Sequence, residues 1–104
     1  MPASYEATLT FPVANERLYQ ACLDAVSRSG FVVTESDPQA ALIRAKARMT
    51  FFSWGEIITL TLAPQGGVHI KSSCRGIQMI DYGKNKRNVT ALSAALSSSL
   101  SAPS

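Results

Sequence analysis

Lys84, Lys86 and Arg87 cluster where the last helical pattern of this 104-residue chain begins, within the run Asp81-Tyr82-Gly83-Lys84-Asn85-Lys86-Arg87-Asn88. A helix start carries partial positive charge and unpaired N–H groups, so cations are disfavoured there unless an anion joins them. Lys84, Arg87 and Asn88 are therefore candidates for contact with a phosphate or a carboxylate. The plainer account gives Asp81 a capping role, Gly83 a tight turn and Asn85 or Asn88 local bonds to the backbone, with the cations splayed into water. No glycine-rich phosphate loop frames Gly83-Lys84.

A second set of cations follows strand periodicity. From Leu42 onward, Ile43, Ala45, Ala47, Met49 and Phe51 share one parity while Arg44, Lys46, Arg48 and Thr50 share the other. Downstream, Val68, Ile70, Ser72 and Cys74 alternate with His69, Lys71, Ser73 and Arg75. If helices cover the apolar parity, Arg44, Lys46, Arg48 and Lys71 stand together on an open face, with His69 and Arg75 beside them, able to meet a polyanion or an acidic protein surface. The plainer account is a solvated face balanced across strands by Glu6 or Glu56. Stacking aromatics are missing apart from Phe52, which ranks nucleic acid below a protein partner or an anionic surface. Phe51, Phe52 and Trp54 crowd one turn, making Phe52 and Trp54 candidates for partner contact, unless Phe51 and Trp54 fold inward as an end cap on the core.

Catalytic and metal chemistry find little support. His69 is the sole histidine and has no ligand-spaced cysteine or carboxylate, and Cys22 and Cys74 are far apart, so they read as buried free thiols rather than a zinc pair or a disulfide framework. No nucleophile elbow, metalloprotease helix or paired-carboxylate pattern appears, so an enzyme ranks below a binding protein, and neither cofactor nor metal is expected. A net charge of +3 is mild for a dedicated nucleic-acid binder. The N-terminus lacks a basic and apolar leader pattern and no stretch reaches membrane-spanning length, giving a cytoplasmic expectation.

The elements that would position these residues follow from periodicity. Tyr5 to Phe11 alternates as a strand ended by Pro12, and Asn15 reads as the N-cap of a helix running to Ser29 before a Gly30 stop. Within it Asp24 and Arg28 form an i,i+4 pair. Phe31 to Glu35 reads as a second strand, Leu42 to Phe51 as a third, Glu56 to Ala63 as a fourth and Val68 to Cys74 as a fifth, the last two joined by Pro64-Gln65-Gly66-Gly67. After a linker around Gly76 to Gly83, Val89, Leu92, Leu96 and Leu100 mark the inner stripe of a final helix. With 46% apolar and 16% charged residues, the chain is expected to form one α+β domain over residues 1–104, its serine-rich tail fraying from about residue 98. The expected architecture is a two-layer sandwich of order β-α-β-β-β-β-α, a five-stranded, mostly antiparallel sheet with two helices on one face.

That order resembles helix-grip folds of the START-like and outer-membrane-assembly lipoprotein type, in which a curved sheet wraps a long C-terminal helix. Trp54-Gly55-Glu56 and Asp81-x-Gly83-Lys84-Asn85-x-x-Asn88 also resemble a recurring pattern in small bacterial domains of unknown function, a likeness confined to the C-terminal half that implies no activity. The leading expectation is a non-catalytic binding or interaction module. The helix-grip likeness implies an alternative, a small-ligand or enzymatic pocket between the sheet and the last helix using Asp81, Lys84 or His69. A third reading is self-association through an edge strand, the first, second or fifth.

Overall fold

The computed structural model describes residues 4–46, 56–74 and 84–101, with the backbone alone at 56, 74, 84, 85 and 101. The elements are β1 (Ser4–Thr10), α1 (Asn15–Arg28), β2 (Val32–Asp37), β3 (Leu42–Lys46), β4 (Glu56–Ala63), a 3-10 turn (Pro64–Gly66), β5 (Gly67–Cys74) and α2 (Lys84–Ser101). They form an α+β fold whose sheet has the order β1-β5-β4-β3-β2 with every neighbouring pair antiparallel. β1 and β2 are the edges. The fifth strand, open to an edge position from sequence, is interior, because β1 pairs along it from Ser4↔Ser73 to Thr10↔Gly67. The third strand's expected continuation through Ala47 to Phe51, and the linker from Gly76 to Gly83, lie outside the described residues.

Strand parity decides which face the helices cover. Ile43 and Ala45 on β3, Ile58, Leu60 and Leu62 on β4, and Val68, Ile70 and Ser72 on β5 are buried. Against them pack Leu18, Cys22, Ala25 and Val26 of α1 and Val89, Leu92 and Leu96 of α2, forming one apolar cluster among the described residues. α2 lies over β1 and β5, while α1 sits beside it toward β2, β3 and β4. Each helix offers apolar residues three and four apart, so one stripe faces the sheet and the rest faces water.

Local chemistry sets the element ends. Asn15 does not cap α1. The cap position is Ala14, without a side-chain bond, while the Asn15 amide donates to the Ala63 carbonyl at 3.2 Å and its oxygen accepts from the Gly66 N–H at 3.3 Å. Asn15 thus ties the helix start to the β4–β5 turn. At the other end Gly30 takes φ +84°, its N–H reaches the Ser27 carbonyl, and the Phe31 N–H reaches the Val26 carbonyl, both at 3.1 Å, the paired bonds of a Schellman stop. Because that stop uses the Phe31 N–H, β2 begins at Val32 rather than Phe31. α2 stays helical through Ser97-Ser98-Ser99 to Ser101, with Leu96 fully buried beneath it.

Gly66 is required by close approach. At φ +82° it accepts a 2.9 Å bond from the Phe11 N–H, and a Cβ placed there would lie 1.9 Å from the Phe11 carbonyl oxygen. At Gly30 the same added atom would meet nothing within 4 Å. Gly30→Ala should therefore cost about 1 kcal/mol for its backbone angle alone, whereas Gly66→Ala should cost clearly more, roughly 2 kcal/mol or above, since β1 and the turn must also separate. Urea unfolding of the two variants checks the order.

Candidate functional site

The side of the sheet opposite the helices carries the charged parity. Read across the strands through their registers, one row runs Glu6, Lys71, Thr59, Arg44, Glu35. Cations on interior strands are flanked by a carboxylate on each edge strand. Arg44 Nη1 lies 3.4 Å from Glu35 Oε1, and His69 Nε2 lies 2.9 Å from Glu6 Oε1 while Thr8 Oγ1 sits 3.2 Å from His69 Nδ1. These pairs are about half exposed, so each contributes less than about 1 kcal/mol to folding. The neighbouring row, Ser4, Ser73, Ile57, Lys46 and Val32, is mixed. Val32 is 47% and Ile57 38% exposed, with Lys46 between them. Of the carboxylates expected to balance the face, Glu6 is found against His69, Glu35 joins it against Arg44, and the side chain of Glu56 lies outside the described residues.

Arg44, Lys46 and Lys71 thus share the open face and are exposed, in the arrangement their parity predicts. Arg87 is exposed on α2, on the covered side of the sheet, so it does not join them. Asn88 departs from its expected place among outward anion contacts. It is buried, and its Nδ2 donates to Ser72 Oγ at 3.2 Å, fastening the second turn of α2 to β5. A helix residue one position before the buried Val89 falls at the margin of the inner stripe, where a polar side chain needs a buried partner. Arg48, Phe52, Trp54, Asp81 and the side chain of Lys84 lie outside the described residues.

His69 does not serve a pocket between the sheet and the last helix, because it points to the open face while α2 packs on the other; the alternative contributors, Asp81 and the Lys84 side chain, lie outside the described residues. The α2 residues facing the sheet, Val89, Leu92 and Leu96, are all buried in the core cluster. A cleft of about 520 Å³ instead lies against the start of α1, lined by Asn15, Glu16, Tyr19 and Gln20, by Pro38, Gln39 and Ala41 of the β2–β3 turn, and by Leu62. Asp37 shapes that turn, its Oδ1 accepting from the N–H groups of Gln39 and Ala40 at 3.1 and 3.2 Å, and Ala41 takes φ +55°. Tyr19 closes the floor, its hydroxyl 2.7 Å from Ser36 Oγ and donating to the Leu42 carbonyl at 3.3 Å. This cleft was not foreseen from sequence, and the Asp37-Pro38 turn signal gave no hint of it.

Reactive chemistry is sparse. Cys22 is fully buried, and desolvation pushes its thiol up to about 12, leaving it protonated and inert at neutral pH. Among the described residues no three His, Cys, Asp or Glu side chains gather as metal ligands, and no helix is long and apolar enough to cross a membrane.

No family model and no curated protein matches the chain. Among solved structures, one described as the crystal structure of Ara h 8.0201 is similar over 95% of this chain and 98% of that chain, at 13% identity and a TM-score of 0.41. A likeness at that score carries no argument.

The buried Asn88–Ser72 contact and the exposed Arg87 make opposite predictions. Asn88→Ala should lower stability by about 1 to 3 kcal/mol, because it strips a partner from a buried hydroxyl, while Arg87→Ala should stay within about 0.5 kcal/mol. Denaturant midpoints of the two variants decide it.

Proposed function

We propose that this protein is a non-catalytic interaction module that presents the uncovered face of its sheet to a protein partner. The observation that carries the reading is the composition of that face: Arg44, Lys46 and Lys71 exposed between edge-strand carboxylates, next to exposed Val32 and Ile57. A polyanion site would want unopposed cations. Here Glu35 already meets Arg44, and Glu6 stands across from Lys71. Alternating charge with an apolar neighbour row suits a partner that is itself mixed, contributing apolar contact at Val32 and Ile57 and directional pairing at Lys46 and Lys71. Arg48, Phe52 and Trp54 are carried forward as further candidates for the same contact, and Lys84 with Arg87 as a separate one at the start of α2.

A photo-crosslinking side chain at position 57 should trap a discrete protein that the same side chain at position 24, on the outer side of α1, does not. Lys46→Glu combined with Lys71→Glu should abolish the adduct. Binding to single-stranded or duplex nucleic acid, or to anionic vesicles, that weakens steeply between low and physiological salt would replace the protein partner by a polyanion.

The cleft beside α1 supports a second reading, small-ligand binding. Its volume falls within the range of ligand sites, its floor of Tyr19 and Leu62 is largely apolar, and Glu16 is the one charged group on its lining among the described residues, which favours a compact cationic or hydrogen-bond-donating molecule. Screening small amines by amide chemical-shift mapping should give shifts clustered at Glu16, Tyr19, Gln39 and Ala41. Shifts scattered over the surface, or none at millimolar ligand, would remove this reading.

A further inference from the structure

The two edges of the sheet are not equivalent. β2 carries the features that keep an edge from pairing further: a register shift between Val33 and Glu35, two carboxylates in Glu35 and Asp37, and Pro38 immediately beyond. β1 ends at a proline too, Pro12 after the last bonded residue Phe11, but it carries neither a register shift nor a pair of carboxylates. Its seven residues pair with β5 without a shift, and its one charge, Glu6, is already engaged by His69. The Phe11 N–H bonds the Gly66 carbonyl, so the bonded pairs toward β5 continue through Leu9, Ala7 and Tyr5. The N–H and C=O groups of Glu6, Thr8 and Thr10 therefore point to the open edge, which nothing pairs among the described residues.

We infer that β1 is where a second copy of this chain adds, antiparallel to its own equivalent across a two-fold axis at Ala7. That register uses the whole strand: Ser4 meets Thr10 of the second copy, Tyr5 meets Leu9, Glu6 meets Thr8, and Ala7 meets itself. It is the pairing the side chains favour. On the covered face, half-exposed Tyr5 (38%) gains Leu9 of the other copy as a cross-strand neighbour, an aromatic-to-aliphatic pair of the kind that stabilises sheets. On the open face each Glu6 stands opposite a threonine and never opposite the other Glu6. Shifting the axis to Glu6 would set the two carboxylates against each other. The interface is isologous and closes on itself, giving a dimer rather than a filament. α2, which lies over β1, leaves room for its counterpart, since Thr90, Ala91, Ala94, Ser97 and Ser98, its exposed residues past Arg87, are all small. This inference stands apart from the open-face reading, because the edge and the face are different surfaces, although the dimer would join two such faces into one.

Sedimentation equilibrium of the full chain should show concentration-dependent association to twice the chain mass. Thr8→Glu should weaken it roughly tenfold, because it sets the introduced carboxylate of each copy against Glu6 of the other, two like-charged pairs across the axis, while in the monomer the new carboxylate lies beside His69. Amide hydrogen exchange supplies the readout that a mere folding defect would not give. In the native protein the Glu6 and Thr8 amides should become protected as concentration rises, while the Tyr5, Ala7 and Leu9 amides are protected throughout by β5. A monomer at all concentrations would overturn the inference. So would a dimer whose Glu6 and Thr8 amides exchange freely, or one that Thr8→Glu leaves intact in a folded chain.

Discussion

Seven side chains on the three interior strands, Ile43, Ala45, Ile58, Leu60, Leu62, Val68 and Ile70, are withdrawn from water on one face of the sheet. Each large aliphatic among them is worth about 1.5 to 3 kcal/mol when buried, so together they outweigh by an order of magnitude any ion pair on the opposite face. Their parity therefore decides which side the helices cover, and by exclusion which side stays open. A slip of one residue in β3 would drive Arg44 and Lys46 into the core, and one in β5 would drive Lys71 there, so the arrangement of charges on the open face is held in place by the apolar residues behind it. The cations need not contribute to folding to be accurately placed.

That dependence explains what could be read from the sequence alone. The face carrying Arg44, Lys46 and Lys71 was legible because a period of two is a local property, and the helices were legible because Leu92 and Leu96, or Cys22 and Val26, repeat at helical spacing. What escaped was long-range. Asn15 looks like a cap by position, yet its partners, Ala63 and Gly66, are 48 and 51 residues away. Asn88 looks like a surface turn residue until β5 brings Ser72 beneath it. The interior position of β5 depends on β1 returning to it, which no local pattern announces. The cleft beside Tyr19 likewise arises where two segments distant in sequence meet.

The start of α1 is a junction as much as a helix terminus. Asn15 holds the β4–β5 turn, Gly66 in that turn holds Phe11, and Tyr19 one turn further along holds Ser36 and the Leu42 carbonyl. Three loops at one end of the sheet are thereby fixed to a single helical turn. The cleft sits on that braced end, between α1 and the β2–β3 turn.

The sheet order also has a consequence for how the chain acquires its fold. β1 precedes the other strands in the chain, but its one sheet neighbour among the described residues is β5, and the Thr8–His69 contact spans 61 residues. As the chain emerges from a ribosome, β2 and β3 can meet at once across the Asp37 turn, whereas β1 must wait until more than half the sequence has followed it. Closing that long loop carries a large entropic penalty before any contact rewards it. Docking of β1 therefore waits on the arrival of a strand far along the chain, and the packing of α2 over both strands follows it.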